Sequence, residues 1–310
     1  MKKVYEIDPE NKTGFLLERK KGIGGSDIAA ICGLNPYAST LSVWYDKTKD
    51  GISADEENIP AEIGLLLEDY LEKKFVKKFK ELYGEEIELL KIPYILARDD
   101  YEFSRCTLDR YFMRGKEFIP VEFKTTNEYQ KDKWKEEEIP EEYYLQVQWQ
   151  LFITGGNLAY VGFLIGNRVF DIRKVPRNEK VIDMMFKRSV DFWRNYVLKN
   201  VMPAPDGSEA SGDVLKELYS IEAAGKILEP TEEEDKQLRS AAVDAKEWND
   251  RKKEADKELT KAKQIIISIM KDSELVYIDM EKVTHKTIHR DGYTVGPKEF
   301  RMLNIKNILK

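Results

Sequence analysis

Residues 106–112 carry Asp109, and residues 118–126 carry Glu122 and Lys124 inside a run of strand-forming residues. In a strand alternate side chains share a face, so Glu122 and Lys124 point one way and Val121 and Phe123 the other. A strand buried on one side therefore presents a carboxylate and an ammonium together on its open side. Asp109, from the preceding strand of an apparent hairpin, can meet them. Asp109 and Glu122 then form a hard oxygen site for Mg²⁺ or Mn²⁺, with the Phe123 carbonyl as a natural further ligand. Lys124 is placed to orient an attacking water and to neutralise phosphate, which suits metal-assisted phosphodiester hydrolysis.

An acid two residues before a lysine is weak evidence alone. It occurs seven times, at Glu10, Glu18, Glu72, Glu122, Glu234, Asp244 and Asp250. Only the Glu122 copy lies in a strong β run behind a second strand bearing an aspartate. Three other segments add to it. Glycines and a capping Ser26 or Asp27 directly precede a helix, where free N–H groups and the helix dipole attract phosphate, with Arg19, Lys20 and Lys21 nearby. Glu68 sits four residues after Gly64, at the edge of an apolar helical stripe, and can reach inward to a metal. Gln146 and Gln150 give one helix face a polar stripe amid Leu145, Val147, Trp149 and Leu151.

The elements that must hold these residues are legible in outline. The pattern predicts short helices near Ile28–Ile31 and Leu41–Lys47, and a strong helix over Ile59–Phe79 with Pro60 in its first turn. Strands are predicted over Ile87–Leu96, Phe103–Phe112 and Phe118–Thr125, then a helix over Pro140–Thr154 closed by Gly155. Gly166 and Asn167 suggest a hairpin, and Glu179–Leu198 reads as another amphipathic helix. This is an α+β pattern, a central sheet flanked by helices. Pro, Gly and Ser after Met202 mark a boundary: residues 1–202 form one domain, 203–225 a linker, and 226–310 a C-terminal helical arm. That arm opens on a Thr231/Glu234 capping box, runs to about Lys271, and ends in short strands at Leu275–Met280, Val283–Ile288 and Phe300–Ile305.

Composition narrows the function classes. Two cysteines, Cys32 and Cys106, build neither a disulfide framework nor a four-cysteine metal site, and two histidines leave little room for histidine chemistry. No apolar run spans a bilayer and the N-terminus lacks a signal-like stretch, so the chain reads as soluble and cytoplasmic. A net charge of −6 argues against non-specific coating of nucleic acid. The charge is uneven: residues 282–310 carry +5 and the remainder −11.

In combination these motifs resemble the YqaJ-like viral recombinase family, the phage nucleases related to lambda exonuclease within the PD-(D/E)XK superfamily. The matching residues are Arg19, the run from Gly22 to Tyr37, Gly64 to Glu68, Cys106 to Asp109, Val121 to Lys124, and Gln146 to Gln148, over about residues 10–200. The superfamily's Pro-Asp pair reads Leu108-Asp109 here, which keeps the acid that binds metal. The resemblance implies a restriction-endonuclease-like core with a mixed sheet. It makes Asp109 and Glu122 the metal-binding acids, Lys124 the catalytic lysine, Glu68 a helical acid supporting the metal, and Gln146 a positioning group near the scissile phosphate. Arg19 and Ser26 would hold the 5′-phosphate end. It further implies a Mg²⁺-dependent 5′→3′ exonuclease on double-stranded DNA ends, leaving 3′ single strands for a single-strand annealing protein. A homo-oligomeric ring, a trimer, would enclose the DNA. A restriction-like endonuclease and a non-catalytic DNA-end binding module on the same fold are the alternatives.

Overall fold

The alternation of residues 117–126 is realised as a strand covered on both faces, and the site is arranged around it. The computed structural model describes residues 1–51, 59–135, 138–221, 225–278 and 281–287, in two units, Met1–Leu218 and Tyr219–Lys310. The first unit opens with β1 (Lys2–Glu6), α1 (Lys12–Lys20), α2 (Gly25–Ile31), α3 (Thr40–Thr48) and α4 (Ile59–Tyr83). Then come β2 (Tyr94–Ala97), β3 (Arg105–Cys106), β4 (Arg110–Arg114), β5 (Glu117–Thr126) and a 3₁₀ segment, Glu128–Trp134. It closes with α5 (Glu141–Thr154), β6 (Leu158–Ile165), β7 (Val169–Pro176), α6 (Glu179–Phe192) and α7 (Glu209–Leu218).

The larger sheet has the order β4-β5-β6-β7, and β1-β2-β3 form a second, antiparallel sheet. β5 and β6 are parallel, with α5 as their crossover, while β4 and β7 run antiparallel at the edges. Helix α4 covers one face because Leu71, Phe75 and Phe79 recur at i, i+4, i+8. Phe75 meets Phe123 edge-on at 5.9 Å, and Phe79 meets Tyr160 at 5.2 Å. A Cβ at Gly162 would lie 2.9 Å from Phe75 and 3.1 Å from Phe123, so this close helix–sheet contact needs glycine. Helix α5 covers the other face and is itself buried on nearly all sides. Val147 and Leu151 pack on Val161 and Phe163, while Leu145, Trp149 and Phe152 enter a second cluster with Ile28 of α2 and Met185 of α6. The result is the α+β core that the motifs imply, a mixed sheet between helices.

Several expectations change in detail. The predicted strand Phe103–Phe112 breaks at residues 107–109, so β3 joins one sheet and β4 the other. That break leaves Asp109 at the edge where β4 begins. Of Ile87–Leu96 only Tyr94–Leu96 is strand, and Leu90 makes a lone bridge to Tyr111. The stretch read as a linker, 203–225, contains α7, with Ser211 and Val214 buried. Its Ser and Gly belong to a helix entry: Asp206 accepts hydrogen bonds from the Ser208 N–H and from the Ser208 and Ser211 hydroxyls. These donors hold the Asp206 carboxyl down at about 2. β1 and α1 carry no strong sequence pattern and were not anticipated.

In the second unit, α8 (Glu232–Met270) starts on the Thr231/Glu234 capping box as expected. β8 (Leu275–Ile278) and β9 (Glu281–Thr284) form an antiparallel hairpin. The expected strand at 300–305 and most of the basic tail lie outside the described residues. Among the described residues no helix is long and apolar enough to cross a membrane.

Candidate active site

The β4–β5 ladder ends at Arg110↔Val121, and this leaves the next outward-facing backbone position of β5 open to side chains. Asp109 fills it. Its Oδ2 accepts the Phe123 N–H at 2.7 Å, which fixes the carboxylate beside β5. The Phe123 carbonyl leaves the strand on the same edge, as a strand residue's N–H and C=O do. Glu122 and Lys124 share the face turned to α5, as alternation predicts. That face is covered rather than open, and Glu122 is only 4% exposed.

Polar partners make this burial tolerable. Glu122 Oε1 accepts from Lys124 Nζ at 2.6 Å and from Gln146 Nε2 at 2.6 Å, and Oε2 accepts from Gln150 Nε2 at 2.7 Å. Lys124 Nζ also donates to Gln146 Oε1 at 3.0 Å and lies 4.9 Å over the Tyr143 ring. Gln146 and Gln150 are one helical turn apart, so one face of α5 meets both oxygens of Glu122. Gln150, part of a polar stripe in the sequence, here holds the Glu122 carboxylate from the buried side.

Asp109, Glu122, Lys124, Glu68, Gly64 and Tyr143 line one cavity of about 260 Å³. Burial pushes the Asp109 carboxyl from the ordinary 3.8 up to about 8, and the Glu122 charge adds to the rise. Burial opposes the Lys124 charge, but Glu122 and Asp109 outweigh it and hold the ammonium above its usual range. Two crowded carboxylates on hard oxygen donors are a suitable donor set for a small divalent cation. Among the described residues no three Asp, Glu, His or Cys side chains close into a cage. An octahedral Mg²⁺ does not need one, since it keeps several waters and takes one or two carboxylates plus substrate phosphate.

Glu68 reaches the cavity rim, but its Oε2 is bound at 3.0 Å by Arg110. Arg110, 1% exposed, also contacts Asp69 at 2.9 Å and Glu72 at 2.5 Å, all from α4. This arginine was not singled out in the sequence. It follows Asp109 directly and neutralises an acidic helix face beside the site. Replacing it with leucine strands those carboxylates. Because they are partly exposed, we expect a stability loss of about 1–3 kcal/mol, measured by urea unfolding, rather than the larger loss typical of a fully buried pair.

A second cavity of about 60 Å³ is lined by Arg19, Gly25, Ser26, Arg105, Thr107 and Gln146. Arg19 Nη2 donates to Ser26 Oγ at 3.0 Å. Arg105 is anchored by the Glu18 carbonyl at 2.8 Å. A Cβ on Gly25 would press on Gln146 Cγ at 3.0 Å, so glycine lets α2 approach α5 here. Gln146 thus lines the small cavity and hydrogen-bonds Glu122 and Lys124 of the larger one. Two of the expected charges are elsewhere: Lys20 donates to the carbonyls of Lys49 and Gly51, and Lys21 pairs with Glu18. The helix end is also weaker than expected. α2 has seven residues, and Asp27, paired with Lys47 at 2.7 Å, already accepts the Gly24 N–H. The cavity's positive side chains are Arg19 and Arg105, the latter paired with Glu18 at 3.4 Å and Glu102 at 3.8 Å; neither Arg105 nor Thr107 stands out in the sequence.

The Uncharacterized protein YqaJ of Bacillus subtilis (strain 168) is 36% identical over 219 residues, 70% of this chain and 66% of that protein, so the chain spans just under two thirds of that relative's length. Among solved structures, the alkaline exonuclease LHK-Exo of Laribacter hongkongensis is 15% identical, with 67% of this chain and 97% of that chain covered and a TM-score of 0.47. A phage related exonuclease from Haemophilus somnus 129PT is 13% identical, with 64% and 96% covered and a TM-score of 0.40. The YqaJ-like viral recombinase domain matches residues 14–157, the segment that carries Arg19, Ser26, Glu68, Asp109, Glu122, Lys124 and Gln146, and the chain belongs to that family.

Proposed function

We propose that this protein is a Mg²⁺-dependent nuclease that degrades double-stranded DNA from its ends in the 5′→3′ direction. The observation that carries the reading is the joint placement of Asp109, Glu122 and Lys124 on one cavity, linked through Gln146 to a small arginine-lined one. Asp109, Glu122 and the Phe123 carbonyl would hold the metal, and Glu68 would support the site from the rim. When bound, such a cation would supply Lewis-acid polarisation of the scissile phosphate and activation of water. Lys124, held charged by the two acids, orients the attacking water and offsets phosphate charge. Gln146 keeps Lys124 and Glu122 in register with each other. Water adds to phosphorus, the P–O3′ bond breaks, the departing 3′-oxygen gains a proton, and the phosphate stays on the 5′ end of the shortened strand. Arg19 and Ser26 receive that new 5′-phosphate.

The product is a duplex with a 3′ single strand, the substrate of a single-strand annealing protein of a phage-type recombination system. A ring of copies, with three as the expected number, would compensate for an acidic body that holds DNA poorly as a monomer. The test is digestion of linear duplex labelled on the 5′ or the 3′ end, beside a covalently closed circle, with and without EDTA. Early release of 5′ label, an intact circle and complete loss with EDTA are expected. Cutting of the circle would make the protein an endonuclease, and binding without cleavage would make it an end-binding module.

A further inference from the structure

The second unit presents a helix of 39 residues, about 58 Å long, whose large apolar side chains lie exposed. Trp248 is 63% exposed, Leu259 53% and Ile269 75%. Leu238, Trp248, Leu259, Ile266 and Ile269 share one heptad seam completed by four alanines and Lys252, while Val243, Ile265 and Ile267 lie off it. Leu238, Ala245, Lys252, Leu259 and Ile266 recur every seven residues. Three residues after each comes Ala241, Trp248, Ala255, Ala262 and Ile269. A seven-residue repeat held over five heptads drifts off the face of a straight helix, and it stays in contact only by supercoiling around a partner.

The flanking charges indicate which partner. In a parallel, in-register pair, the residue before each first seam position faces the one five residues later on the other helix. This sets Arg251 against Asp256 and Glu258 against Lys263 of the other copy, each pair formed twice by symmetry. Asp244 faces Asn249 and Gln237 faces Ala242, and Met270, which would face Ile265, is buried in its own chain, so no like charges oppose each other across the flanks. The fully overlapped antiparallel pair keeps only Arg251 against Glu258. Lys252 is the one charged seam residue. A single polar residue at such a position fixes register at a cost in stability, and its long stem lets the ammonium reach water.

We propose that α8 is a self-association element that forms a parallel, in-register coiled coil with a further copy of this chain. The pairing rests on the second unit alone and stands whether or not the first unit cleaves DNA.

Cysteine scanning of the full-length chain tests it, since native Cys32 and Cys106 are buried. Ala245→Cys and Ala255→Cys lie on the seam, where a parallel in-register pair sets each residue against itself. Both should form interchain disulfides in a glutathione redox buffer, and Asp250→Cys on the outer face should not. Glu258→Lys sets lysine against Lys263 and should weaken association about tenfold, and adding Lys263→Glu should restore it. A monomer in light scattering at tens of micromolar overturns the proposal. So does a multimer in which neither seam cysteine cross-links, or cross-linking of Ala245→Cys only with Ala262→Cys, the antiparallel signature.

Discussion

Asp109→Asn should abolish Mg²⁺-dependent cleavage and at the same time raise the melting temperature of the metal-free protein near pH 8. Both effects come from one buried carboxyl. Asn keeps an oxygen to accept the Phe123 N–H, so the local backbone is retained. It removes a charge that burial and Glu122 disfavour. The sign follows from linkage. The Asp109 carboxyl titrates at about 8 in the fold against an ordinary 3.8, so its protonated form stabilises the fold. That stability is fully present below about 3.8 and is lost as pH rises through about 8. The variant does not ionise there, so its advantage over the wild type should be near zero in acid and largest at the alkaline end. Mg²⁺ should reverse the ranking. A ligand at 100 times its Kd adds about 2.7 kcal/mol to the form that binds it. Mg²⁺ should therefore raise the melting temperature of the wild type and leave Asp109→Asn unmoved. Activity should fall by more than about 100-fold, beyond the usual effect of losing a ligand's outer partner. Near-wild-type hydrolysis by Asp109→Asn, or an equal Mg²⁺ shift in both proteins, would remove Asp109 from the metal site.

How much of this site was written in the sequence depends on the range of each signal. Period-two alternation placed Glu122 and Lys124 on one face because it is a local property of the strand. The hairpin reading placed Asp109 correctly, since β4 and β5 are joined by a tight turn. What the pattern could not tell was that α5 would close over that face. Its apolar residues fall on several sides of the helix, which signals burial all round, and only the fold shows that of its three glutamines Gln146 and Gln150 aim at Glu122 while Gln148 binds the backbone of Pro176 and Asn178. Arg110 was invisible for a related reason. A lone arginine in a strand has no sequence-local partner, and its three acids lie about forty residues upstream on α4. A weak readable signal did exist, since Glu68, Asp69 and Glu72 crowd one stretch of helix and need a cation. The phosphate-attracting helix end was overestimated because a capping acid in the first turn uses the same N–H groups that an anion would. Arg105 lies in the two-residue β3 and Thr107 opens the break that follows it, and no periodic pattern announces such a break.

Arg19→Ala should slow release of the first nucleotide from 5′-phosphorylated duplex by roughly 10- to 150-fold while changing first-nucleotide release from 5′-hydroxyl duplex little. The cavity beside Arg19, about 60 Å³, is of a size suited to one phosphate group. Arg19 enters it with one nitrogen on Ser26 Oγ, which orients the guanidinium and leaves further donors on the fork for phosphate oxygens. A hydrogen bond to a charged group is worth about 1.5–3 kcal/mol, which sets the size of the loss. Arg105 limits it, because its guanidinium stays in the cavity, anchored to the Glu18 carbonyl, when Arg19 is removed. Arg19→Lys separates charge from shape. It keeps the positive charge but loses the planar fork, so it should recover only part of the discrimination. The comparison of the two substrates matters more than either rate alone, because a general folding defect lowers both equally. Equal losses on phosphorylated and hydroxyl ends would mean that Arg19 does not read the end. The small cavity would then be a structural gap between α2 and α5, and end preference would have to arise elsewhere on the protein.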